Sequence, residues 1–248
     1  MRAMRLVAAA IGCALTLSLG GCGYQQSASV FRAHDDPALR AHTVGTGQAT
    51  QQDPTVGQLW NAFQTSLVSA KTMHITGTLH VDKRLAKVDM SGACDNSNGR
   101  SSITMDDENL EVTAVGGTYY IKANTAYWKA AGLPSNVIVT LGSRYLSTTD
   151  PTMGQFTVGS FVASLKTTEA ISDGMGVIAE KTTLTGRPVY LFSVRTGEGR
   201  MTIWVTDTAY TLLKIRMEST DGTDELSFSE WNVPVNYTAP PPAQIVKI

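Results

Sequence analysis

The thiol best placed for chemistry is Cys22, which ends the run Leu19-Gly20-Gly21-Cys22 behind a hydrophobic leader. Gly20 and Gly21 suit the small-residue pocket of a signal peptidase, and sulfur is the nucleophile that thioether formation with diacylglycerol requires. Arg2 and Arg5 make a basic start, Leu6 to Leu19 is apolar apart from small residues, and the chain turns polar directly after Cys22. Such a run is shorter than the roughly 20 apolar residues of a spanning helix. The pattern predicts a leader over 1–21 and an acylated Cys22 as the mature N-terminus, on the extracytoplasmic face of the cell membrane. Acyl chains contribute ~0.8 kcal/mol per buried methylene, so two or three of them hold a protein there.

Other reactive residue types are scattered. Of three cysteines, Cys13 leaves with the leader and Cys22 is acylated, which leaves Cys94 without an intramolecular partner; a small half-buried strand residue is its expected role. His74, His80 and Asp82 share one strand face by parity, but the two histidines lie about 20 Å apart along an extended strand, too far for one ion. Asp106, Asp107 and Glu108 read as solvated turn residues. Gly159-Ser160-Phe161 lacks the register of a nucleophile elbow, and Gly45-Thr46-Gly47 follows no strand. These residues predict no catalytic site, no metal site and no cofactor.

Without Arg2 and Arg5 the mature chain has 18 basic and 21 acidic residues, a net charge of −3 with no basic excess for nucleic acid. From Gly23 to Gln52 polar and small residues dominate, so 22–52 reads as an acylated cysteine and a flexible tether whose r.m.s. reach is roughly 30 Å. One folded unit is expected over 53–248. Asp53-Pro54-Thr55 supplies an N-cap with proline at the first helical position, and Val56, Leu59, Trp60, Phe63, Leu67 and Ala70 recur at helical spacing. Met73, Ile75, Leu79 and Val81 then alternate with polar residues as a strand, and Leu85 to Ala93 continues the pattern. Turn signals at 95–99, 106–109 and 116–117 join consecutive strands into an antiparallel meander. Gly117 to Lys122 and Ala126 to Ala130 read as further strands. A second helix carries Phe156, Phe161, Val162 and Leu165, and five strands follow over 177–184, 188–194, 201–206, 212–219 and 226–231 before Pro240-Pro241-Pro242 stops regular pairing. The order helix, meander, helix, meander predicts an α+β fold with one large curved antiparallel sheet and helices against one face.

The sequence of lipobox, polar tether, Trp60-x-x-Phe63 helix, Val115 to Lys122, Gly186-Arg187-Pro188-Val189-Tyr190 and Phe228-Ser229-Glu230-Trp231 resembles the actinobacterial LppX/LprA/LprF/LprG lipoproteins. That resemblance runs over 53–248. It implies a half-barrel sheet with helices over its concave face, like the LolA/LolB carriers, around an apolar cavity for acylated lipids or glycolipids moving through the envelope. It supplies no catalytic residues. Asp82-Lys83-Arg84, where relatives have a glycine-containing turn, and Cys94 depart from the family pattern.

On this basis the chain is expected to be a monomeric lipid carrier that meets a lipid exporter or acceptor. Trp60, Phe63, Leu67, Phe161 and Leu165 would face Ile75, Leu79, Val81, Tyr190, Phe192, Ile203, Val205, Ile215 and Met217 around the cavity. Alternation fixes these faces only relative to one another, because a one-residue slip sends a whole set outward. Seven methionines after the leader supply pliable apolar walls. The competing reading is a protein-binding sensor or scaffold on the same fold with its concave face fully packed.

Overall fold

The structure is a computed structural model, and it describes residues 53–170, 175–197 and 199–246. The leader, Cys22 and the tether lie outside the described residues.

Helix α1 (Val56–Ser69) starts two residues later than the sequence suggests. Thr55, not Asp53, is its N-cap: the Thr55 hydroxyl accepts from Gln58 N–H while Thr55 N–H donates to Gln58 Oε1 at 2.8 Å, a reciprocal capping box. Five strands follow as a meander: β1 (Thr72–Val81), β2 (Arg84–Ala93), β3 (Asn98–Met105), β4 (Glu108–Val115) and β5 (Thr118–Ala123). The expected strand over Ala126 to Ala130 is instead helical. Asn124 Oδ1 accepts from Tyr127 N–H and caps α2 (Thr125–Ala130), and α3 (Ser135–Leu141) packs beside it. Six residues are too few to show a helical period, so the cap and the packing decide.

After β6 (Tyr145–Thr148) comes a 3-10 turn (Pro151–Phe156) and α4 (Val158–Thr167), the second helix expected from the sequence. The second meander is β7 (Glu180–Leu184), β8 (Arg187–Thr196), β9 (Gly199–Thr206), β10 (Leu212–Ser219) and β11 (Gly222–Ser229). Strand β7 begins three residues after Val177, because Val177 and Met175 spend their carbonyls on the N–H groups of Val56 and Gly57 at the start of α1. Nor do the prolines end all pairing. The tail beyond β11 binds Asn98 through both the N–H and the carbonyl of Tyr237, then forms β12 (Ile245–Val246), which pairs in parallel with β6.

All twelve strands make one sheet in the order β12-β6-β5-β4-β3-β2-β1-β11-β10-β9-β8-β7, antiparallel except at β12. The two meanders meet where β1 pairs with β11. Gly77 makes this seam possible, since a Cβ there would stand 2.0 Å from the Glu225 carbonyl oxygen. Beyond it Asp224 takes over the ladder's role, its Oδ1 lying 2.8 Å from His80 N and 2.7 Å from His80 Nδ1. An open sheet of this width must coil rather than lie flat.

Candidate functional site

One face of the sheet carries the core. Register links Tyr190, Phe192 and Val194 of β8 to Val205, Ile203 and Met201 of β9, and the last two to Ile215 and Met217 of β10. Ile215 stands opposite Leu226, whose strand places Phe228 beside Ile75. Ile75 opposes Met90, Leu79 opposes Ala86, and the same face continues through Ile103, Leu110 and Ala123. The residues singled out from the sequence are thereby brought together. Trp60, Phe63, Leu67, Leu165, Ile75, Val81, Tyr190, Phe192, Ile203, Val205 and Ile215 are buried, whereas Leu79, Phe161 and Met217 pack on that core half-buried. Trp60 and Phe63 have ring centroids 5.1 Å apart, and Phe161 lies 6.2 Å from Phe228. Strand β8 is partly covered on its other face as well: Val189 is buried opposite the core, and Leu191 and Ser193 are half-buried.

Helix α4 approaches the sheet closely because Gly159 has no side chain. A Cβ on it would meet the Cys94 carbonyl oxygen at 2.6 Å, and Asn96 lies nearer still. Cys94 is a turn residue just past β2 rather than a strand residue; burial raises its thiol pKa and leaves it a poor nucleophile. Tyr190 is not wholly apolar either. Its hydroxyl donates to Asp53 Oδ1 at 2.8 Å, a bond that pushes the phenol pKa up to about 12.

An apolar pocket opens where β1 turns into β2 and β3 into β4. Val81, Ala86, Ile103, Met105, Leu110, Tyr127 and Phe156 line it with one acid, Glu108. Of these only Val81 belongs to the set expected from the sequence. Glu108 corrects the reading of 106–108 as a solvated turn. It is 9% exposed, stands opposite Met105 on the core face, and accepts from Arg84 Nη2 at 2.8 Å, while Asp106 takes Arg84 Nε at 2.7 Å. Buried Tyr127 has its phenol pKa raised to about 12, first by desolvation and then by the nearby Glu108 charge. The pocket holds ≈ 20 Å³, room for about one water and not for an acyl chain. Five methionines of the core, Met73, Met90, Met105, Met153 and Met201, are side chains that repack at low cost.

The outer face is chemically different. A groove of ≈ 370 Å³ over β3, β4 and β5 is lined mainly by Ser102, Asn109, Glu111, Lys122, Asn124 and Ser143. Its carboxylate is already engaged, since Glu111 accepts from Arg100 Nη2 at 2.6 Å and from the Tyr145 hydroxyl at 3.1 Å. On the same face His74 Nε2 lies 2.8 Å from Asp89 and His80 is held by Asp224, so each histidine has its own carboxylate. Among the described residues no three His, Cys, Asp or Glu side chains converge as metal ligands, and no helix is long and apolar enough to cross a membrane.

No family model and no curated protein sequence matches the chain. Solved structures do. LprF from Mycobacterium bovis is similar with a TM-score of 0.48 at 14% identity, over 76% of this chain and 99% of that one. The chain is similar to the LprF and LppX lipoproteins. Lipoprotein LppX of Mycobacterium tuberculosis gives a TM-score of 0.44 at 14% identity, over 73% of this chain and 97% of its own. A LolA superfamily protein from Nitrosomonas europaea gives 0.28 at 7% identity, over 74% and 95%. The likeness is one of fold: a large open antiparallel sheet with helices on one face.

Proposed function

We propose that the chain is a membrane-anchored lipoprotein that takes the acyl chains of a lipid or glycolipid between its helices and sheet and carries them within the cell envelope. Capture is non-covalent. The observation that supports this most is the apolar pocket at the strand ends, lined by aliphatic, aromatic and methionine side chains of the core. Admitting a chain means separating the helices from the sheet, with the methionines conforming to what enters. Cys22 would anchor the protein by its lipid, and the tether would let the folded unit reach the bilayer and an exporter or acceptor.

The same pocket volume favours a second reading. A space for one water is what a protein-binding scaffold with a packed interior would show. Native mass spectrometry of the protein purified from its host, with Cys22→Ala to remove the anchor, separates the two. The carrier retains about one lipid per molecule, and Met105→Trp, which fills the pocket, lowers that occupancy while circular dichroism stays unchanged. A protein that emerges empty and ignores added glycolipid removes the carrier.

A further inference from the structure

We propose that the helical hairpin α2–α3 is a membrane-docking gate: its outer surface lies on an anionic bilayer, and its inner wall, Tyr127, closes the apolar pocket. The gating half of this inference rests on the carrier reading, whereas the docking half does not.

Four observations converge on this hairpin. Val139 of α3 is 82% exposed, the most exposed of the large apolar side chains among the described residues, and Leu133 and Val137 beside it are only partly covered. The stretch of chain that carries it is one-sided in charge. From Val112 to Thr149, 38 residues include Lys122, Lys129 and Arg144 and not one carboxylate, although the mature chain as a whole is net negative. Lys129 lies in the last turn of α2 and Arg144 just after α3, where its guanidinium donates to the carbonyl of Thr140, the residue next to Val139, and both are exposed. An exposed apolar side chain on a stretch whose own charges are all positive, with the neighbouring Glu111 already paired to Arg100, matches an interface of anionic head groups over acyl chains.

The inner side supplies the rest. Tyr127 and Trp128 are adjacent in α2, and Tyr127 forms part of the pocket wall. Trp128 is 1% exposed with its indole N–H unpartnered, as is the Nε2 of Gln155, the neighbour of the pocket residue Phe156. Closed, the hairpin therefore holds a buried donor that pays its desolvation without a hydrogen bond. Swung outward to the head-group level, an indole gains both an apolar bed and polar acceptors, the setting in which tryptophan is enriched. Gly132 at a φ of 74° and Gly142 at 52° bound α3 with backbone that no other residue type takes as readily. Opening thus exchanges a costly contact for a favourable one at the surface where lipid is found.

The test places a bimane label at Val139→Cys in a Cys94→Ser background, in protein purified from its host and reconstituted in vesicles containing doxyl-labelled lipid. Asp221→Cys, in the turn before β11, is the control position. Docking predicts quenching at residue 139 several-fold above that at 221 in phosphatidylglycerol/phosphatidylcholine vesicles. It also predicts that the difference collapses in phosphatidylcholine alone, and that Lys129→Glu at least halves it. Equal quenching at the two positions, or a difference indifferent to lipid charge, overturns the proposal. Bound lipid measured by native mass spectrometry on the same samples separates the two readings: quenching without captured lipid sinks the carrier and leaves docking, and captured lipid without quenching does the reverse.

Discussion

Tyr127 joins a helix cap through its backbone N–H to a pocket wall and the nearby Glu108 charge through its ring. Its folded pKa of about 12 lies above the unfolded value, so folding is favoured while the phenol keeps its proton. The stabilisation is fully present below pH about 10 and lost as pH rises towards about 12, on the order of 2 kcal/mol for a shift of this size. Tyr127→Phe cannot ionise. Thermal unfolding of the two proteins is expected to diverge above pH 10, wild type falling more steeply; parallel curves would contradict the buried placement. Tyr190 titrates in the same direction in both proteins and cancels in the comparison. Glu108 shows why part of this pocket was hidden from sequence reading. An acid in a run of three at a turn reads as solvated, and only the pairing of Met105 with Glu108 and the arrival of Arg84 from β2 reveal that it points inward.

At the scale of elements, α1 draws on its cap as much as on its stripe. Thr55→Ala removes the hydroxyl that accepts from Gln58 N–H, leaving only the backbone half of the capping box, and should cost about 1 kcal/mol, lowering the melting temperature by roughly 2 to 4 °C; differential scanning calorimetry reads this directly, and no change would mean the helix starts elsewhere. Long elements were legible from sequence because their periods repeat several times. The stripe from Val56 to Leu67 and the alternation in β1, β8, β9 and β10 named much of the core face, and the ladder from β8 to β5 carries that parity without a slip apart from the irregularity at Leu212/Lys214. Short elements were not. Thr125–Ala130 has the aromatic content of a strand and Ser135–Leu141 its β-branched residues, yet local capping by Asn124 and burial of Tyr127, Trp128, Ile138 and Leu141 make both helical. The pocket walls from β2 to β4 escaped for a related reason: Ala86, Ile103 and Leu110 look like any strand interior until the hairpin that covers them is known.

For the whole molecule, the tail beyond β11 works as a strap. It leaves the seam, grips Asn98 on β3 and ends as β12 against β6, so the outermost strand of the first meander is held by the end of the chain. Ending the chain at Ala239 should expose β6 without unfolding the protein. Amide exchange in Tyr145–Thr148 is then expected to accelerate at least tenfold while β8 and β9 keep their protection; unchanged exchange in β6 would show that β12 holds nothing. The seam between β1 and β11 has a consequence for how the protein is made. His74 and Ser229, paired across it, are 155 residues apart in the chain. As the polypeptide emerges from its N-terminus, β1 to β5 have their hairpin partners at once, but the inner edge of β1 waits for almost the entire remainder of the chain. Throughout that interval it is an unpaired strand edge of the kind that seeds aggregation, and so distant a pairing makes closure of the sheet slow. The last strands to appear thus decide whether the earlier half is rescued or lost, and a nascent chain stalled before β11 is the species most in need of a chaperone.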